Sequence, residues 1–186
     1  MNVILMRRAR QFNETLLQHH LQAMQCAHGD LLMLSGRSDC YAPVLALAES
    51  LEIQTLVFEQ EFYDPQKVYG ASKMNWLFDP YAGRYGCQSL NTLYHVFAIE
   101  LEAILRRYSE RTLVIYLDQL LLEIAYAVLA DLPLQMLQRF SLYLEESNIA
   151  ILARAPFKDG FQTLLLKSNV TPAQAFIGRT ELKLVR

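Results

Sequence analysis

Residues 29–50, GDLLMLSGRSDCYAPVLALAES, contain an apolar strand, a small polar loop and a helix, in that order. This order is typical of sites where backbone N–H groups and a helix start surround the phosphates of a nucleotide. The loop consists of Ser35, Gly36, Arg37, Ser38 and Asp39. It lacks the lysine that contacts the β- and γ-phosphates and it lacks a second glycine, so we predict a degenerate phosphate loop.

The same loop approaches a second catalytic pattern, the nucleophile elbow G-x-S-x-G, in a strand–turn–helix context. Cys40 stands where the last glycine belongs, and His95 is the single histidine that follows Ser38 in the chain. A triad would therefore need its acid before His95, which disfavours this pattern. Cys40 would be a nucleophile only if its pKa were lowered. We expect no catalytic residues here.

Asp118 ends a central apolar run, TLVIYLD. In a phosphate-loop ATPase a magnesium-coordinating acid occupies such a place, so Asp118 is a degenerate Walker B-like candidate. The alternative is that its carboxylate caps the helix that follows. His19 and His20 are adjacent and lack the i, i+4 spacing of a metal pair. We predict neither a metal ion nor a cofactor.

Apolar periodicity predicts the elements that position these residues. Four short, continuous apolar runs predict strands over 31–35, 54–59, 112–117 and 148–153. Helices are expected over 12–27, 43–51, 89–108, 119–131 and 133–146, final strands over 161–167 and 180–185, and a strand or an arm over 1–6. Continuous apolar strands that alternate with helices are typical of a parallel sheet covered on both faces. We predict an α/β fold with three α/β/α layers and a mostly parallel sheet.

The composition sets broader limits. The chain has 186 residues, of which 53% are hydrophobic, and this favours a single domain with a full core. Its net charge is −2, so autonomous nucleic-acid binding is disfavoured, and the basic run 7–10 is interpreted as solvated surface. Three distant cysteines indicate a reducing compartment, and no apolar run is long enough to span a membrane. We expect a cytoplasmic protein, or a nuclear one in a eukaryote.

The segment 62–89 differs from the rest because it combines two Asp-Pro pairs, several glycines and many aromatic residues. Long loops of this kind in compact domains are usually functional. The candidates for partner binding are Trp76, Phe78, Tyr81, Arg84 and Tyr85. Aromatic residues and arginine are enriched at the centres of protein interfaces. The alternative is that these aromatic side chains fold back as a small core.

The order of features resembles the core of RecA-like recombinase ATPases over residues 12–170. The phosphate-loop segment is followed by TLVFEQEFYDP, a long helix, TLVIYLDQL and ESNIAILARAPF. In that family the corresponding strands end at acids and at a polar sensor residue, and the match puts Arg154 near the sensor position. The resemblance implies a RecA-like (phosphate-loop NTPase-like) domain over 13–186, with an N-terminal arm over 1–12.

RecA-like cores that have lost the ATPase include recombination mediators, accessory subunits and SulA-like division inhibitors. The resemblance therefore implies a pseudo-ATPase, a non-enzyme that acts through protein–protein interaction as an accessory subunit or regulator in DNA repair and recombination. The implied partner is a RecA-like recombinase, a second paralog or another copy of the chain, with DNA present only as part of a complex. The arm would add a strand to a partner's sheet.

Two alternatives stay open. One is a regulatory domain that binds a nucleotide or a cyclic dinucleotide, with Arg37, Arg84 and Arg154 as phosphate partners. The other is a nucleotide-dependent enzyme with an atypical loop that uses Arg37, Glu61 and Asp118.

Overall fold

The computed structural model describes residues 2–9, 11–24, 26, 30–35, 41–58, 79–81, 89–138, 142–157 and 160–176. Its strands are β1 (Asn2–Arg7), β2 (Leu31–Ser35), β3 (Gln54–Phe58), β4 (Thr112–Leu117), β5 (Ile149–Phe157) and β6 (Gly160–Val170). Its α-helices are α1 (Glu14–Ala23), α2 (Tyr41–Ser50), α3 (Leu90–Arg107), α4 (Gln119–Leu129) and α5 (Pro172–Phe176), and a 3-10 helix covers Leu134–Gln138.

The six strands form one mixed sheet with the order β3-β2-β4-β1-β5-β6. The first four strands are parallel, whereas β5 runs antiparallel to β1 and β6 runs antiparallel to β5. The α/β class is therefore confirmed, and the mostly parallel, RecA-like sheet is wrong.

The connection before β5 explains its reversed direction. The helix predicted over 133–146 is reduced to the 3-10 helix, and residues 142–145 are not helical. We call the side of the sheet where the parallel strands end its carboxyl edge. After α4 the chain returns to this edge, where the N–H of Arg7 donates to the carbonyl oxygen of Asn148 at 3.1 Å. β5 therefore starts at that edge and runs in the opposite direction. Only residues 158–159 separate it from β6, and so short a connection joins antiparallel strands.

Helices cover both faces of the sheet, which confirms the three layers. α3 and α4 pack on the face that carries Leu5 and Ile115, and α1 and α2 pack on the face that carries Met6 and Val114. Because successive strand residues point to opposite faces, a strand covered on both sides must be apolar throughout. No helix among the described residues is long and apolar enough to cross a membrane.

The N-terminal residues lie in the middle of the sheet. β1 pairs with β4 on one side and with β5 on the other. Of the two predictions for residues 1–6, the strand is confirmed, and a free arm that reaches a partner is incompatible with this pairing. The strand predicted over 180–185 lies outside the described residues.

Candidate functional site

The carboxyl ends of β1 and β4 lie side by side at the centre of the sheet. β1 leads into α1 on one face, and β4 leads into α4 on the other face. The two connections therefore leave the sheet on opposite sides. In open α/β sheets, ligands bind in the crevice outside the carboxyl ends at such a switch point. We therefore take this edge as the candidate site.

Arg7, the last residue of β1, is held firmly at this edge. Its carbonyl oxygen accepts from the N–H of Ser147 at 3.0 Å. Its Nη1 donates to the carbonyl oxygen of Leu144 at 2.5 Å, and its guanidinium lies 5.4 Å from the ring centre of Tyr143. These contacts fix both the main chain and the charged group of Arg7.

Arg8 follows directly, and its N–H donates to the carbonyl oxygen of Leu117 at 2.9 Å. This bond places Arg8 beside the end of β4. Both arginines are half-buried, so the sequence interpretation of a fully solvated basic run is wrong for them. Arg7 and Arg8 follow each other in the chain at the centre of the carboxyl edge. Their positive charge makes this edge attractive to an anion.

Asp118 caps α4. It is 7% exposed, and its Oδ1 accepts from the N–H groups of Leu120 at 3.1 Å and Leu121 at 3.3 Å. Of the two roles considered from the sequence, the structure gives it the capping one.

Gln119 connects α4 to the segment 142–144. Its Nε2 donates to Oε1 of Glu123 at 2.8 Å and to the carbonyl oxygen of Leu142 at 2.6 Å, and its Oε1 accepts from the N–H of Leu144 at 3.4 Å. Gln119 and Glu123 are both buried. Because the carbonyl oxygen of Leu144 in turn accepts from Arg7, this buried network reaches Arg7.

His20 of α1 is the described histidine that lies at this edge; His19 and His95 are exposed. It lines a cavity of about 10 Å³, room for about one water molecule, together with Met6, Ala9, Asn13, Leu16, Leu17, Tyr116 and Ser147. Its Nδ1 is buried and has no hydrogen-bond partner among the described residues. Burial lowers the pKa of His20, and the neighbouring His19 lowers it further, so the ring is neutral at pH 7.

We expect His20 to make the fold sensitive to acid. Its pKa in the folded chain lies below the ordinary 6.5, so below about pH 6.5 the unfolded chain binds the proton more readily. The stability contributed by neutral His20 is therefore complete above that pH, falls as the pH drops, and levels off below the folded pKa. Urea unfolding between about pH 8 and pH 5 should show this loss, and His20→Leu should reduce it.

The exposed His95 provides the matched control for that measurement. The variant His95→Gln should keep the acid sensitivity of the parent chain. An equal pH dependence in the parent chain and His20→Leu would contradict the assignment to His20.

Most residues predicted for the degenerate phosphate loop and for partner binding lie outside the described residues. These are Gly36, Arg37, Ser38, Asp39, Trp76, Phe78, Arg84 and Tyr85, and Glu61 joins them. Ser35 ends β2 at the same carboxyl edge. Tyr81 is 65% exposed, and its hydroxyl accepts from Nε2 of Gln135 at 3.5 Å.

Arg154 lies at the opposite edge of the sheet. Its neighbour Ala153 pairs with Asn2, the first residue of β1, and its Nη2 lies 3.6 Å from Oε1 of Glu102 in α3. The structure therefore separates Arg154 from Asp118 and from the carboxyl edge. Both the sensor position implied by the resemblance and a shared phosphate site at that edge are wrong for this arginine.

Sequence reasoning did not select Arg7, Gln119, Glu123 or His20 as site residues. One signal was available for Arg7: the apolar run VILM stops at two arginines, as a buried strand does when it reaches the edge of a sheet. The other three depend on contacts between segments that are far apart in the chain.

No protein-family model matches the chain, and no curated protein matches it. Solved structures do. A mycobacterial glucosyl-3-phosphoglycerate phosphatase in complex with VO3 has a TM-score of 0.66 at 10% identity, over 91% of this chain and 99% of that one. A putative alpha-ribazole-5'-P phosphatase from Escherichia coli has a TM-score of 0.60 at 11% identity, over 91% of this chain and 97% of that one.

A phosphoserine phosphatase from Entamoeba histolytica, in complex with 3-phosphoglyceric acid, has a TM-score of 0.58 at 13% identity. The match covers 97% of that chain and 91% of this one. These neighbours belong to the histidine phosphatase family. At this level of identity the comparison shows that the chain has their fold.

The same comparison corrects the predicted function. The RecA-like resemblance is wrong, because the neighbours are histidine phosphatases and the sheet is mixed. The pseudo-ATPase with a role in DNA repair and recombination falls with it. The prediction of a non-enzyme is contradicted, since these neighbours are enzymes. The nucleotide-binding and cyclic-dinucleotide alternatives have no support either.

Proposed function

We propose that this chain binds a small phosphomonoester at the carboxyl edge between β1 and β4, and that it acts as a phosphomonoesterase. The observation that carries the proposal is the arginine pair at the switch point of a fold that phosphatases share. The neighbours named above act on glucosyl-3-phosphoglycerate, phosphoserine and alpha-ribazole-5'-P, all of which are phosphate monoesters.

The chemistry of the edge supports an anionic ligand. A guanidinium group is always charged and forms paired hydrogen bonds with phosphate oxygens. Arg7 is held by Leu144 and Tyr143 before any ligand arrives, so less conformational entropy is lost when it binds. Asp118 is occupied as a helix cap, which orients its carboxylate toward the start of α4.

The histidines of this chain bear on the hydrolytic step. They are His19, His20, His28 and His95, so none directly follows β1 or β4. A phosphomonoesterase needs a group that binds the anion and a nucleophile. At this edge the described residues supply the group that binds the anion. A phosphoserine phosphatase variant in which one histidine is alanine was solved in complex with phosphoserine, so that protein binds its phosphomonoester without that histidine. Binding and turnover therefore need separate measurements.

The test is calorimetric titration of the full chain with inorganic phosphate, phosphoserine and 3-phosphoglycerate, together with an assay of phosphate release. We expect binding, and we expect Arg8→Gln to weaken it by about ten- to a hundredfold, because a charged hydrogen-bonding group is lost. Phosphate release from one of the esters is expected to fall in the same variant.

Arg154→Gln is the matched control, because it removes an arginine from the opposite edge of the same sheet. It should leave the affinity unchanged. The proposal fails if no phosphate compound binds, or if both variants lose affinity equally. If a phosphate compound binds but no ester releases phosphate, phosphomonoesterase activity is excluded and only the binding site is supported.

A further inference from the structure

Tyr143 is an exposed aromatic residue beside Arg7 at the carboxyl edge. Its side chain is 60% exposed, whereas its neighbours Leu142 and Leu144 are buried in the core. The guanidinium of Arg7 lies over its ring, with 5.4 Å to the ring centre. Even with the guanidinium in this place, most of the ring surface is open to a ligand that Arg7 binds.

The main chain on both sides of Tyr143 is fixed. The buried Gln119 donates from Nε2 to the carbonyl oxygen of Leu142 at 2.6 Å, and its Oε1 accepts from the N–H of Leu144 at 3.4 Å. The carbonyl oxygen of Leu144 also accepts from Arg7. The ring is therefore held on a fixed backbone and against a fixed guanidinium, so little conformational entropy is lost when a ligand packs on it.

The distance between the two side chains suits a ligand that contacts both. A guanidinium has several N–H groups, so the bond from Arg7 to Leu144 leaves others for phosphate oxygens. A phosphate bound in this way has its oxygens about 3 Å from the nitrogens of Arg7. The ring centre of Tyr143 is 5.4 Å from the guanidinium carbon, so a group esterified to that phosphate comes within reach of the ring.

We propose that Tyr143 is a specificity residue, and that the carboxyl edge prefers an aryl phosphate, a phosphomonoester whose alcohol carries an aromatic ring. This inference rests on the phosphomonoester site proposed above. An aromatic group on Tyr143 buries apolar surface and gains the attraction between two rings that lie offset or edge-to-face. A small aliphatic alcohol on the same phosphate has the same charge and gains much less from the ring.

The test is calorimetric titration of the full chain with inorganic phosphate, ethylphosphonate and benzylphosphonate. In the two phosphonates a CH₂ group replaces the ester oxygen, so neither is hydrolysed during the titration. We expect benzylphosphonate to bind about three- to tenfold more tightly than ethylphosphonate. Tyr143→Leu should remove this preference and leave the affinity for inorganic phosphate unchanged, because Arg7 keeps its bond to Leu144. Tyr143→Phe should retain the preference, because it keeps the ring.

Tyr108→Leu is the matched control. Tyr108 also lies beside an arginine, with the guanidinium carbon of Arg111 5.3 Å from its ring centre. It precedes β4 and therefore lies at the opposite edge of the sheet from Tyr143. Its variant should bind all three ligands like the parent chain, and circular dichroism checks that each variant is folded.

The outcomes separate this inference from the proposed site. A parent chain that binds none of the three ligands would overturn both. If the parent chain binds inorganic phosphate but binds the two phosphonates equally, the site stands and the selectivity of the ring is overturned. A preference for benzylphosphonate that survives Tyr143→Leu would overturn it as well. So would an equal loss of all three ligands in Tyr143→Leu, because the ring would then act only by positioning Arg7.

Discussion

Replacing Phe97 with alanine is expected to lower the free energy of unfolding by about 3–5 kcal/mol. Phe97 lies in α3, is fully buried, and meets the ring of Phe58 in β3 edge-to-face with 4.7 Å between the ring centres. The variant loses the buried area and this aromatic contact, and it leaves a cavity between α3 and the sheet. Urea unfolding monitored by circular dichroism measures the loss.

His95→Ala is a suitable control for Phe97→Ala, because His95 is exposed on the same helix. It should change stability by about 0.5 kcal/mol or less. A loss below about 1 kcal/mol for Phe97→Ala would mean that α3 does not pack on the sheet as described.

Gln119→Leu is expected to cost about 2–4 kcal/mol of stability and to weaken phosphate binding. Leucine is apolar and cannot replace the hydrogen bonds to Leu142 and Leu144, and buried backbone groups without partners are costly. The segment 142–144 also holds Arg7 through the carbonyl oxygen of Leu144. A more mobile segment should therefore position the Arg7 guanidinium less well for phosphate. Urea unfolding and phosphate titration of the folded variant measure the two effects.

Gln22 provides the control, because it is an exposed glutamine of α1. Gln22→Leu should change neither quantity. If Gln119→Leu lowers stability but binds phosphate like the parent chain, the network supports the fold alone and Arg7 does not depend on it.

The parallel part of the sheet was predictable because burial on both faces leaves a clear mark. β2, β3 and β4 match the predicted runs 31–35, 54–59 and 112–117 to within one residue. α3 also follows closely, since Leu93, Phe97 and Leu101 repeat at helical spacing and Ser89 caps its start.

The direction of β5 was not predictable from its own residues. A strand buried on both faces has the same continuous apolar pattern in either direction. Its direction depends on the connection over 130–148, where Pro133 and an apolar pattern suggested a second helix. A strand–helix alternation is common to many α/β folds, so it did not distinguish the RecA-like order from the observed one.

The candidate site could not be assembled from the sequence, because no motif joins its parts. Arg7, Gln119 and Leu144 are distant along the chain and meet only through the register of β1 with β4 and the path back to β5. Asp118 was the exception, since a helix cap is a local feature and the sequence suggested it.

The central place of β1 also sets the order in which the chain can fold during synthesis. Asn2 pairs with Thr112, and Met6 pairs with Ile149, so both partners of β1 leave the ribosome more than a hundred residues later. At about 5–20 residues per second, the first strand waits several seconds with its apolar side chains unpaired. β2 and β3 are closer in sequence and can pair earlier. The centre of the sheet is therefore completed late, after β4 and β5 have been synthesised, and β1 stays exposed as an apolar strand until then.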